Sequence, residues 1–314
     1  MDSHGSDGPD AQRAADLAVT DGTGRSAAEA STTTGALYPL RQWRKADTPV
    51  FLALVGAVVV LALGGIVIGQ PFWGLGLALT AGVAGLAALG IVHQRRVLFV
   101  IDQERRHCQA LATLHAILPL RAPLPPMAGW AATPELAAVV AAEILARRPR
   151  RVVEVGSGVT TLVAGYALQK VGQGGRLVSL DHDAAFAAET RRHLARHGLS
   201  EVAEVFHAPL VPVTLGEESS VFYATKDAGD EPIDMFIVDG PPSESRPLAR
   251  YPAVPVLWDR LSDRAVVILD DARRPDEQEI VARWQRDHPD LHLEWVSSVK
   301  GIAILSRTAP GEAA

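Results

Sequence analysis

The stretch Val152-Val153-Glu154-Val155-Gly156-Ser157-Gly158-Val159-Thr160-Thr161 decides how this chain is read. A short apolar run gives way to a Gly-x-Gly turn and then to a helical pattern. That is the arrangement in which backbone approaches a ligand closely at a helix N-terminus. The dinucleotide fingerprint G-x-G-x-x-G is incomplete: Thr161 holds its third glycine position, and Glu154 stands two residues before the first glycine. A carboxylate there repels a pyrophosphate and suits a cationic ligand. Twenty-five residues beyond Gly156, the run Leu177-Val178-Ser179-Leu180-Asp181 ends in a carboxylate that can take both hydroxyls of a ribose.

Outward from this turn, short apolar runs alternate with helical patterns. Strands are expected at 151–155, 176–181, 202–207, 233–239, 265–270, 291–297 and 302–306, and helices at 161–170, 184–197, within 248–261 and at 277–288. Such alternation implies right-handed crossovers and a mainly parallel sheet. Only Ser298-Val299-Lys300-Gly301 joins the last two strands, too short a link for a crossover, so they form an antiparallel hairpin. The fourth strand ends in Asp239-Gly240-Pro241-Pro242 and the fifth in Asp270-Asp271, both on the carboxyl edge where open α/β sheets bind ligands.

With these residues in place, the sequence resembles the class I S-adenosylmethionine-dependent methyltransferases. The match is carried by Glu154-Val155-Gly156-Ser157-Gly158, by Asp181 at the end of the second strand and by the terminal hairpin, and it covers 129–307. The resemblance implies a Rossmann-like, doubly wound α/β sheet of seven strands. It gives the methionine part of S-adenosyl-L-methionine to the glycine turn, with Ser157 and Thr160, the ribose to Asp181, and the border of the adenine to His182 and Ala208. It narrows toward the catechol O-methyltransferase-like branch, whose divalent ion sits after strands four and five. Asp239, Asp270 and Asp271 match those places, Asp271 standing where the branch has Asn, and three hard oxygen donors suit Mg²⁺. The branch's lysine, three residues after its first Asp, is replaced by Pro242. Asp239 and Asp271 are then the candidates to take an acceptor's proton. Arg246, Arg250 and Tyr251 are candidates to bind the acceptor.

The rest of the chain sets the context. It has 314 residues, 48% hydrophobic and 21% charged, yet 48–94 carries no formal charge. Within this window, 49–68 and 72–92 are each near the length that crosses a bilayer, with Gly69-Gln70-Pro71 between them. Arg41, Arg44 and Lys45 on one side and Arg95 and Arg96 on the other place both outer ends in the cytoplasm. The expectation is a multi-pass anchor in the cell membrane with a cytoplasmic catalytic domain. The small residues Gly65 and Gly69, and Gly74, Ala78 and Gly82, suit close helix packing, within the hairpin or in a homodimer. Residues 1–48 read as a disordered tail without a cleaved signal peptide, 95–128 as a helical connector with a proline-rich linker, and 308–314 as a flexible end.

A net charge of −6 gives no polycation for nucleic acid, and Cys108, the single cysteine, excludes a disulfide scaffold. Cys108 is expected to be a buried thiol, His193 and His197 a solvated face, and Thr133-Pro134 a helix start. The functional expectation is a membrane-anchored O-methyltransferase acting on a small-molecule or lipid-linked acceptor. Its rivals are a non-catalytic cofactor-binding scaffold and an NAD or nucleotide-sugar enzyme, against which Glu154 and the missing third glycine weigh.

Overall fold

The computed structural model describes residues 53–307 apart from 54, 62, 65, 128, 130 and 217. The expected tail 1–48, the first residues of the first span, Gly65, Trp130 and 308–314 lie outside the described residues. The chain divides into two compact units, with the main boundary between Val92 and His93.

In the first unit, the described residues from 53 to 67 are helical, and Ile68-Gly69 turns the chain into α1 (Pro71–Ile117). Gly69 takes a left-handed φ of 71°, which favours glycine at this turn. Gly74 and Ala78 are buried, and a Cβ on Gly82 would meet Val58 at 3.7 Å. Gly82 of the small-residue stripe therefore faces the preceding helix. Thr80 returns its hydroxyl to the Gly76 carbonyl at 2.9 Å, which satisfies the one side-chain donor of that turn locally. Among the described residues one helix, Phe72–Ile117, is long and apolar enough to cross a membrane. Past the arginines, α1 runs on without a break to Ile117, through the helical part of the expected connector. Cys108 is exposed on it, not buried, because the buried apolar residues of this last part, Ala110 and Leu114, lie on other positions.

The second unit is a three-layer α/β domain. Its seven-stranded sheet is built from β1 (Arg151–Val155), β2 (Arg176–Asp181), β3 (Ala203–His207), β6 (Ile233–Val238), β7 (Leu261–Leu269), β8 (His292–Val296) and β9 (Ile302–Ser306). The order is β3-β2-β1-β6-β7-β9-β8, with β9 antiparallel to β7 and β8. Two core clusters cover its faces. One gathers α2 (Pro134–Arg147), α3 (Val159–Val171) and α4 (Ala184–His197) with Leu114 and Leu118, and the other gathers α5 (Ala253–Leu257) and α6 (Pro275–Asp287). Helix α3 is buried at every position from Val159 to Leu168, as expected of a helix that is apolar all round and lies between the sheet and α2. Thr133 caps α2 by accepting the Leu136 amide at 3.2 Å, with Pro134 in the first turn, as its sequence suggests.

Two features depart from expectation. His197 is fully buried: Tyr166 of α3 meets its Nδ1 at 2.8 Å, and the Arg121 amide donates to the same tyrosine hydroxyl at 2.9 Å. The linker is thereby pinned across the seam of α3 and α4. Between β3 and β6 stands an antiparallel pair, β4 (Leu210–Leu215) and β5 (Glu218–Tyr223), separate from the main sheet. Its side chains Phe222 and Tyr223 are buried in the second core cluster.

Candidate active site

The carboxyl edge is drawn together by backbone hydrogen bonds that continue past the strands. The Gly156 amide donates to Leu180 O at 2.9 Å, Asp239 to Val155 O at 3.0 Å, Asp270 to Val238 O at 3.1 Å and Ala208 to Asp181 O at 2.7 Å. Each donor is the first residue after its strand or close to it, so the candidate residues converge because the strands do. Gly156 has a φ of 91°, and a Cβ there would lie 2.6 Å from the Asp239 carbonyl oxygen, so only glycine fits.

Ser157 binds Asp181 Oδ2 twice, through its amide at 2.9 Å and its hydroxyl at 2.6 Å, while the Asp183 amide donates to Oδ1 at 3.0 Å. The glycine turn and the end of β2 are therefore one preformed unit. Asp183 also caps α4 by accepting the amides of Ala185 and Phe186. Thr161, the departure from the dinucleotide fingerprint, accepts the Gly158 amide at 2.9 Å and donates to Glu154 Oε2 at 2.5 Å. Glu154 is fully buried with Oε1 unpartnered. Burial pushes its pKa up to about 7, only partly offset by the Thr160 and Thr161 hydroxyls. His182 is half-buried at this edge, and its ring meets the edge of Tyr223 with centroids 5.9 Å apart.

Asp239, Asp270 and Asp271 come together as expected, each offering an oxygen within 4.8 Å of the others. They share their place with the cations Arg250, Arg274 and Lys300. Arg250 is buried among them, 2.9 Å from Asp271 Oδ2 and 3.5 Å from Asp239 Oδ1, and donates to the Asp270 carbonyl at 2.9 Å. Arg250 therefore braces the cluster and does not reach outward for an acceptor. Asp271 is also reached by Arg274 at 3.1 Å and by Lys300 at 3.7 Å, and Glu277 lies 3.9 Å from Arg250. Both Asp270 carboxylate oxygens and Asp271 Oδ1 are buried without a hydrogen-bond partner. Burial first, then the charge of Asp270, raises Asp239 well above the usual carboxylate range; burial, then Asp271, raises Asp270. Asp271 sits at φ 57°, a left-handed conformation that Asp tolerates better than most residues.

The other acceptor candidates point elsewhere. Tyr251 donates to Asp287 at 3.1 Å and Arg246 to the Ser219 carbonyl at 3.3 Å. Sequence reading missed Lys300 and Tyr223. Lys300 had a signal: β9 runs antiparallel to β7, so the residues just before it must return to the carboxyl edge. There the amides of Ala272 and Arg273 pair with Gly301 O and Lys300 O. Tyr223 was hidden because its hairpin was not recognised, although the alternation across 210–215 was visible.

Residues 153–272 match the family model described as a methyltransferase domain. No curated protein matches the chain. Similar solved structures include an O-methyltransferase from Bacillus cereus in complex with SAH (16% identity, 64% of this chain and 89% of that one, TM-score 0.43). Others are the SAH-bound methyltransferase PaMTH1 of Podospora anserina (13%, 65% and 88%, 0.46) and the O-methyltransferase TomG of Streptomyces achromogenes, involved in tomaymycin synthesis, in complex with SAM (18%, 66% and 99%, 0.45). The matched segment runs from within β1 to the turn after β7 and contains every residue of the glycine turn and of the aspartate cluster.

Proposed function

We propose that the chain is a membrane-anchored O-methyltransferase that moves the methyl group of S-adenosylmethionine to a small or membrane-proximal hydroxyl acceptor. The observation that carries this reading is the preformed unit of Gly156, Ser157 and Asp181, with Asp239 pressed against Gly156 from the neighbouring strand. It offers a turn for the amino-acid part of the cofactor, a carboxylate for its ribose and buried negative charge for its cation.

The chain's own contribution to transfer is positioning and proton handling. A sulfonium methyl is already a good electrophile, so holding it in line with the acceptor supplies much of the rate. Asp239, its proton affinity raised by burial and by Asp270, is the group suited to take the acceptor's proton. The unpartnered oxygens of Asp270 and Asp271 fit a hard divalent cation, which Asp239, Asp270 and Asp271 would hold. When bound, such an ion would polarise the acceptor oxygen. The exposed apolar side chains of α1, Phe72, Trp73, Val83 and Leu86 among them, support the anchor.

Isothermal titration of the full chain in detergent with S-adenosylmethionine, S-adenosylhomocysteine and NAD tests the reading. Both sulfur compounds should bind, NAD should not, and Asp181→Ala should weaken binding by about tenfold or more, the scale of a lost charge-assisted hydrogen bond. Absence of binding by either sulfur compound overturns the proposal.

A further inference from the structure

The Tyr223 hydroxyl is a buried polar atom with no role in the chemistry above. Tyr223 is 1% exposed, and its hydroxyl finds no hydrogen-bond partner. Its ring leans on His182, and its oxygen ends between the two glycine turns. A Cβ added to Gly240 would fall on that oxygen, and the same Cβ would stand 3.5 Å from the Gly156 Cα. A buried hydroxyl without a partner carries a desolvation cost that a ligand can relieve.

We propose that Tyr223 is a cofactor-contacting residue, its hydroxyl donating a hydrogen bond to the carboxylate at the amino-acid end of the cofactor. The assignment rests on the reading that this end lies at the Gly156 turn. Around that turn the side chains Glu154, Asp181 and Asp239 are all carboxyl groups, acceptors whenever they are ionised. The Ser157 hydroxyl is already committed to Asp181. An amino-acid zwitterion offers its ammonium to the carboxylates, and its own carboxylate then needs a donor, which the tyrosine supplies. Tyr223 keeps its proton: burial first, then the negative charge of Asp181, pushes its pKa far above the usual value. The contact comes from the β4–β5 hairpin, so this pair of strands, outside the main sheet, helps to build the site.

Titration of the full chain and of Tyr223→Phe with S-adenosylhomocysteine and with 5′-methylthioadenosine, which lacks the amino-acid end, tests this. Tyr223→Phe should weaken S-adenosylhomocysteine about tenfold and leave methylthioadenosine unchanged. Equal affinity for S-adenosylhomocysteine in both proteins, or equal losses for the two ligands, overturns the assignment and leaves the methyltransferase reading standing. Failure of the wild-type chain to bind S-adenosylhomocysteine removes both. Gly240→Ala serves as a positional control. It should lower the melting temperature of the wild type, and much of that loss should disappear in the Tyr223→Phe background, where the nearest ring atom to the new Cβ is 3.3 Å away. Additive effects of the two substitutions place the hydroxyl elsewhere and overturn the proposal.

Discussion

Strand β6 has an aspartate near each end, and the two meet opposite fates. Asp234, near its start, accepts the Arg150 amide at 2.8 Å, the Ser262 hydroxyl at 3.0 Å and two Arg264 bonds at 3.2 Å. Burial opposes its charge, but these bonds outweigh it and hold the pKa below the ordinary value. Asp239, just past the other end, has a single 3.5 Å contact with Arg250 and faces two more carboxylates. The amino edge uses a carboxylate to close the fold. The carboxyl edge keeps like charges together at a cost, as sites built for chemistry do.

Breaking the balance at the costly edge gives the largest effect. The pKa of Arg250 is raised: burial works against its charge, but Asp239, Asp271, Asp270 and Glu277 together outweigh it. Arg250→Met leaves those carboxylates buried without their central counter-charge and should lower stability by about 3–5 kcal/mol. Urea unfolding measures the loss. It should shrink as pH falls, because protonating the carboxylates removes the repulsion. A loss below about 1 kcal/mol would show that Arg274 and Lys300 suffice and that Arg250 is not the brace.

The two edges also differ in how readily sequence reveals them. The glycine turn, Asp181, Asp239, Asp270 and Asp271 were legible because each closes a strand, and strand ends in a parallel sheet share one edge. The burial of Arg250 was not legible, since it depends on how the loop after β6 folds back over the cluster. Tyr223 needed the β4–β5 hairpin, whose strands lie outside the sheet that the alternating pattern announces. The apolar window showed its turn at Gly69, and the pattern after it showed the helix through which α1 continues to Ile117. A helix passing from apolar to charged surroundings leaves no break in its own periodicity.

Glu154 sharpens the comparison from within the site. Its pKa is raised from an ordinary 4.5 to about 7, with burial as the first cause. Between those values the folded chain holds a proton that the unfolded chain has released, so stability falls as pH rises across this window. The full cost, reached above pH 7, is about 3 kcal/mol. Glu154→Gln keeps an acceptor for Thr161 without a titrating group. Its stability should be flat from pH 4.5 to 7 in excess of what other groups contribute, and at pH 8 it should exceed the wild type. Parallel slopes for the two proteins in denaturant titrations at pH 5 and pH 8 would mean that Glu154 is charged throughout.

The smallest effect tests the comparison most directly, because it exchanges the same residue type at the two ends of one strand. Asp234→Ala removes bonds to backbone and side-chain donors, and Arg264, whose side chain is 56% exposed, can turn to water. The loss should therefore be about 1–2 kcal/mol, with cofactor affinity unchanged. The folded pKa of Asp234 is depressed, so its contribution is present above the unfolded value and is lost as pH falls through the folded one. The variant should converge on the wild type in acid. Asp239→Asn should do the reverse. It removes one charge from a crowded cluster and so leaves stability within about 1 kcal/mol or raises it, while methyl transfer falls. Loss of activity in the first variant with loss of stability in the second would invert the assignment of the two edges.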